Sequence, residues 1–206
     1  YLGVKLPGLN STRAEAQQRA NHLAVQSYQV SLDLTAGDEN FTSQTTVKFT
    51  CNQPGYESFI DAVGKTVISA TLNGQVVDTS NYDGESIFLK NLAADNELII
   101  KMSTPYSNTG EGLQRSVDPV DNEVYLYSQG ETAFIRKMYP CFDQPDLKAT
   151  FTLTAIAPKH WSVISNSPVA EKVDLADDKT QWRFKPTPRI STYITALIAG
   201  PYYSVS

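Results

Sequence analysis

The chain has 206 residues, of which 17 are basic, 22 acidic and 41% hydrophobic, for a formal charge of −5. That length can bury a core of its own. The mild acidity, with no block of Lys or Arg, argues against nucleic acid as a partner, because phosphate recognition needs a concentrated basic face.

In chain order, Thr12-Arg13-Ala14-Glu15 forms a capping box that predicts an amphipathic surface helix to about Leu23. From Val25 the period changes to two. Tyr28, Val30, Leu32 and Leu34 alternate with polar residues, and Phe41, Thr45, Val47, Phe49 and Cys51 repeat the pattern beyond a polar turn, which predicts an antiparallel meander. Strands over 66–72 and 75–78 flank Asn73-Gly74, a strong hairpin signal. Further strands are expected over 86–89 and 97–102. Residues 107–122 lack an apolar period and read as a long loop of the kind that tends to be functional. Gly110-Glu111-Gly112 lies in that loop without a strand leading in or a helix following, so it is not a phosphate cradle.

Residues 125–149, YLYSQGETAFIRKMYPCFDQPDLKA, concentrate the irregular features: an apolar strand, the polar turn Gln129-Gly130-Glu131, a short helix-like run and a proline-bounded bend. Strands resume over 150–157, 161–165, 181–185 and 191–199, separated by Pro, Asn and Asp. This pattern predicts an all-β fold, a saddle-shaped sandwich of packed and mostly antiparallel sheets. One short helix opens it and another follows the Gln-Gly-Glu turn.

Few residues offer chemistry. His22 and His160 have no His, Cys or carboxylate at ligand-like offsets. Cys51 and Cys141 show no Cys-x-x-Cys spacing, and Cys141 sits between Pro140 and Phe142, as a packing residue would. There is no Gly-x-Ser-x-Gly elbow. The turn at Gln129 to Glu131 is either a solvated turn or a recognition element, with Gly130 granting the backbone freedom to bring both side chains to one side.

Residues 125–149 resemble the N-terminal domain of the aminopeptidase N family of zinc metallopeptidases. The resemblance rests on Gln129-Gly130-Glu131, on Ala133 to Lys137, and on Pro140-Cys141-Phe142-Asp143-Gln144-Pro145 followed by Lys148-Ala149. Gly112-Leu113 with Val117-Asp118-Pro119, the run Trp161 to Asn166, and Pro188 to Gly200 extend it over most of the chain.

The resemblance implies that residues 1–206 are a β domain lying over an active site built by a separate catalytic domain of the same polypeptide. Zinc and the general base would belong to that domain, since neither His-Glu-x-x-His nor Gly-Ala-Met-Glu-Asn occurs here. It further implies that Glu131 binds the free α-ammonium of a peptide substrate, that Gln129 makes a neighbouring contact and that Gly130 shapes the pocket wall, with no catalytic or metal-binding residue in this chain. Asp143 is expected either to cap the bend or to pair with Arg136 or Lys148. Gly130 departs from the bulkier residue common at that position in the family.

The competing reading is a non-catalytic β-sandwich module that binds proteins or carbohydrates, and a His-Glu-x-x-His beyond Ser206 would separate the two. No run approaches the roughly 20 apolar residues of a membrane span, and no signal-peptide pattern precedes the first strands, so a cytoplasmic location is expected. The triplets Asn10-Ser11-Thr12 and Asn40-Phe41-Thr42 would be glycosylated only in a secreted protein.

Overall fold

In the computed structural model, which describes residues 11–203 and 205, the reciprocal cap is present. The Glu15 N–H donates to the Thr12 hydroxyl at 3.2 Å and the Thr12 N–H to the Glu15 carboxylate at 2.7 Å. Helix α1 (Arg13–His22) follows. Asn10 of the first glycosylation triplet lies outside the described residues. The helix is polar on every side and not amphipathic as expected; the residue it buries is Arg19, and Ala20 touches the core.

Fourteen strands follow among the described residues: β1 (Leu23–Asp33), β2 (Asn40–Cys51), β3 (Ser58–Asp61), β4 (Thr66–Leu72), β5 (Gln75–Val76), β6 (Ser86–Leu89) and β7 (Asp95–Pro105), then β8 (Gly112–Val117), β9 (Val124–Gln129), β10 (Thr150–Pro158), β11 (Ser162–Ser165), β12 (Val169–Leu175), β13 (Lys179–Phe184) and β14 (Leu197–Gly200). An eight-stranded sheet has the order β12-β13-β10-β1-β2-β7-β4-β5, a four-stranded sheet the order β11-β14-β9-β8, and β3 pairs with β6. Every pairing is antiparallel except β1 with β10. The fold is thus all-β with packed, mostly antiparallel sheets; β1 and β2 pair in sequence order, whereas β10 beside β1 and β7 between β2 and β4 bring together strands distant in the chain.

The alternation read from the sequence fixes which face is buried. Tyr28, Val30 and Leu32 of β1 and Phe41, Val47 and Phe49 of β2 enter one continuous core. Each large apolar side chain so buried contributes about 1.5–3 kcal/mol. Tyr28 stacks on Phe151 at 4.8 Å and receives the Phe142 N–H on its hydroxyl at 3.0 Å, tying the large sheet to the proline-bounded bend.

Two expectations are corrected and one is narrowed. Residues 107–122 are not wholly loop: β8 runs through them and pairs with β9 from Gly112 opposite Gln129 to Val117 opposite Val124. Its burial comes from Leu113 and Gln114, too short a signal for a periodicity argument. The short helix expected after the Gln-Gly-Glu turn is present as a single 3-10 turn (Ile135–Lys137), since the proline-bounded bend follows at once. Residues 191–199 are not one strand; a 3-10 turn (Thr192–Ile194) precedes β14.

Candidate functional site

Strand β9 ends at Gln129, whose side chain shares the outward face with Tyr125 and Tyr127 while Leu126 is buried in the core. Beyond it, Gly130 is buried, and Gln129 and Glu131 are exposed. The Glu131 N–H donates to Gln129 Oε1 at 2.9 Å. That bond occupies the oxygen of the amide and leaves its NH₂ group as the outward donor. The Glu131 carboxylate has no hydrogen bond or ion pair within the described residues. The structure therefore brings the three sequence-predicted residues together on one exposed turn, with a donor and an anionic acceptor two residues apart.

Glycine is demanded here by packing, not by the backbone freedom first expected. Gly130 does not have a positive φ; the left-handed position falls on Ala133, at 72°. A Cβ on Gly130 would come within 2.9 Å of the Tyr193 carbonyl oxygen and 3.1 Å of Ile135 Cδ1. The carbonyl belongs to backbone and cannot rotate away. Gly130→Ala is expected to lower the free energy of unfolding by about 1–2 kcal/mol, as overpacking does, read as a shift of the urea midpoint at unchanged slope.

The turn stands on a buried ionic cluster. Asp61 of β3 accepts from Arg19 at 2.9 Å, pairs with Arg136 at 3.1 Å and accepts the Asp143 N–H at 3.0 Å. Asp143 accepts from the backbone N–H and Nε of Arg136, both at 3.2 Å, and from the Thr192 hydroxyl at 2.8 Å. Gln144 accepts from Arg19 Nε at 3.0 Å and donates to the Ala16 carbonyl at 2.9 Å. Arg19 also lies 4.5 Å over the Phe59 ring. Burial pushes the Asp143 carboxyl up from the ordinary carboxylate range, while Thr192 and Arg136 pull it down.

Of the two expected partners of Asp143, Arg136 is the one found; Lys148 is exposed. Arg19, Asp61 and Thr192 escaped the sequence reading, and Gln144 entered it only as a member of the motif. The signal for Asp61 was a carboxylate inside the apolar run Phe59-Ile60-Asp61-Ala62, since a charge so placed must be paired. The signal for Arg19 was a helix with no apolar face to dock.

Backbone ladders complete the mount. Asp61 and Cys141 exchange two hydrogen bonds, at 2.9 and 3.0 Å, and Val63 donates to the Arg136 carbonyl at 2.9 Å. Cys141 is fully buried, and burial pushes its thiol pKa up, so it packs as an inert side chain.

Zinc does not fit these residues. Among the described residues no group of three or more His, Cys, Asp or Glu could hold a metal ion. His22 lies against Asn52 at 3.1 Å, and His160 is 3.3 Å from Glu123.

The profile of the Peptidase M1 N-terminal domain matches residues 24–194. An aminopeptidase N of Streptomyces lividans is 50% identical over 204 residues, covering 97% of this chain and 23% of that protein. An aminopeptidase N of Acetobacter pasteurianus is 29% identical over 188 residues, covering 87% of this chain and 53% of its own. Aminopeptidase Ey of Gallus gallus is 41% identical over 83 residues, 39% of this chain and 8% of its own. The chain therefore spans about a quarter to a half of the length of the first two relatives. With the match covering the β9 turn, its buried mount and most of the sheets, this chain belongs to the Peptidase M1 N-terminal domain family, the N-terminal domain of aminopeptidase N proteins.

Proposed function

We propose that this chain is the substrate-anchoring domain of a zinc-dependent aminopeptidase that removes residues from the N-terminus of peptides. The observation that carries the reading is the Glu131 carboxylate, exposed at the tip of a turn on a rigid base and without an internal partner among the described residues. Glu131 receives the free α-ammonium, and the Gln129 NH₂ group supplies a neighbouring donor.

An exopeptidase must tell a charged chain end from an internal amide. A carboxylate does so because a charge-assisted hydrogen bond is worth about 1.5–3 kcal/mol, and a blocked terminus leaves the carboxylate unpaired once the site closes over it. Holding the amine end also fixes where the first peptide bond lies, so the domain contributes by orientation. Zinc, held by the catalytic domain, supplies the activation of water and carbonyl; the residues of this chain bind and orient.

The 206-residue chain alone is expected to bind no stoichiometric zinc and to release nothing from chromogenic aminoacyl substrates. Elemental analysis combined with a turnover assay tests this, and one tightly held zinc per chain with turnover overturns it.

A further inference from the structure

The two adjacent cations of the first 3-10 turn take opposite directions. Arg136 enters the core toward Asp61 and Asp143, whereas Lys137 reaches the rim, where its ammonium pairs with Glu111 and lies 5.0 Å from the centre of the Phe134 ring. Lys137 and Glu111 are 31% and 34% exposed, so the pair is partly open to solvent.

Glu111 is held there by the Ser107–Gln114 segment. Its N–H donates to the Ser107 hydroxyl at 3.3 Å, and the Gly110 N–H to Gln114 Oε1 at 2.9 Å. Gly112, with φ at 72°, lies so close to Lys137 that a Cβ would meet Lys137 Cβ at 2.7 Å and its carbonyl oxygen at 3.2 Å. Gly112 is also the cross-strand partner of Gln129. Directly opposed residues have Cα atoms about 4.5–5.5 Å apart and chain neighbours about 3.8 Å, which puts the Cα of Glu111 within roughly 9 Å of that of Gln129. That distance is between backbone atoms, and the screening length at physiological ionic strength is about 8 Å, so the charge on Glu111 acts on the turn through a screened field that is strongest at low salt.

We propose that Lys137 is a specificity-determining residue of the anchoring site. By neutralising Glu111 it leaves Glu131 as the uncompensated carboxylate of the turn. The site then takes one cation, the terminal ammonium, without favouring a second on the substrate's first side chain. This rests on the assignment of Glu131 as the ammonium-binding group.

The test uses the full-length enzyme with an alanyl and a lysyl chromogenic substrate. Lys137→Met frees the Glu111 carboxylate and is expected to lower KM for the lysyl relative to the alanyl substrate about threefold to fivefold at low ionic strength, with kcat little changed and the preference gone at about 0.5 M salt. Glu111→Gln frees the ammonium and is expected to raise KM for both substrates.

The double variant Glu111→Gln/Lys137→Met lacks the same contact as each single variant but restores the charge balance, so it is expected to return the lysyl-to-alanyl ratio to that of the parent. A Lys137→Met effect equal for both substrates and insensitive to salt would reduce the pair to a clamp and overturn the proposal. Glu131→Gln serves as the control. If it weakens neither substrate, the anchoring assignment itself fails; if it weakens both while the single variants show no charge dependence, only the role of Lys137 fails.

Discussion

Asp61→Ala is expected to lower the free energy of unfolding by about 3–5 kcal/mol, the usual cost of breaking a buried ion pair from one side. Asp61 is 1% exposed and is engaged at both carboxylate oxygens, by Arg19 and by Arg136, with the Asp143 N–H as a further donor. Its removal leaves Arg19 without a carboxylate partner among the described residues and Arg136 with Asp143. It also frees the end of α1 that Arg19 docks. Asp61→Asn keeps the shape and part of the hydrogen bonding and is expected to cost less. Urea titration measures both; a loss under about 1 kcal/mol for Asp61→Ala would mean that the arginines reach water readily and that the cluster does not hold the bend.

Glu131→Gln in the full-length enzyme is expected to reduce kcat/KM for free-amine substrates roughly 10- to 150-fold, the equivalent of a charge-assisted hydrogen bond of about 1.5–3 kcal/mol. The stability of the fold is expected to change by less than about 0.5 kcal/mol, because the side chain is exposed and bonded to nothing within the described residues. Affinity for Nα-acetylated analogues, which offer no ammonium, is expected to change little. Kinetics like those of the unaltered enzyme would return Glu131 to the status of a solvated turn residue. The two substitutions separate the mount from the tip: one acts on folding and leaves the recognising carboxylate in place, the other does the reverse.

The alternating runs of β1 and β2 were legible because a strand with one wet face writes its burial into every second residue. Asn73-Gly74 was legible because both residues take left-handed backbone, at φ 52° and 79°. Strand β12 was not, since all of its residues are exposed and its sequence carries no burial pattern to read. Strand β8 was missed because its outer half is solvated and its inner half is only a few residues long.

At the site, the exposed trio Gln129, Gly130 and Glu131 could be found by motif, whereas the reason for Gly130 could not. That reason lies in Tyr193, more than sixty positions along the chain. The buried cluster divides likewise: Arg136 and Asp143 are close in sequence and their pairing was anticipated, but Asp61 and Arg19 come from elements whose meeting only the fold arranges.

The parallel ladder between β1 and β10 joins Ser27 to Thr150 and Asp33 to Ile156. While the polypeptide is being made, α1, β1 and β2 can assemble early, yet the open side of β1 has no partner until residue 156 has left the ribosome. Closing so long a loop is entropically costly before any contact rewards it, and it slows folding. For that interval the nascent protein presents the bare edge of what becomes the middle of its largest sheet, and β10, whose arrival covers it, comes directly after the segment that carries the recognition turn and its bend.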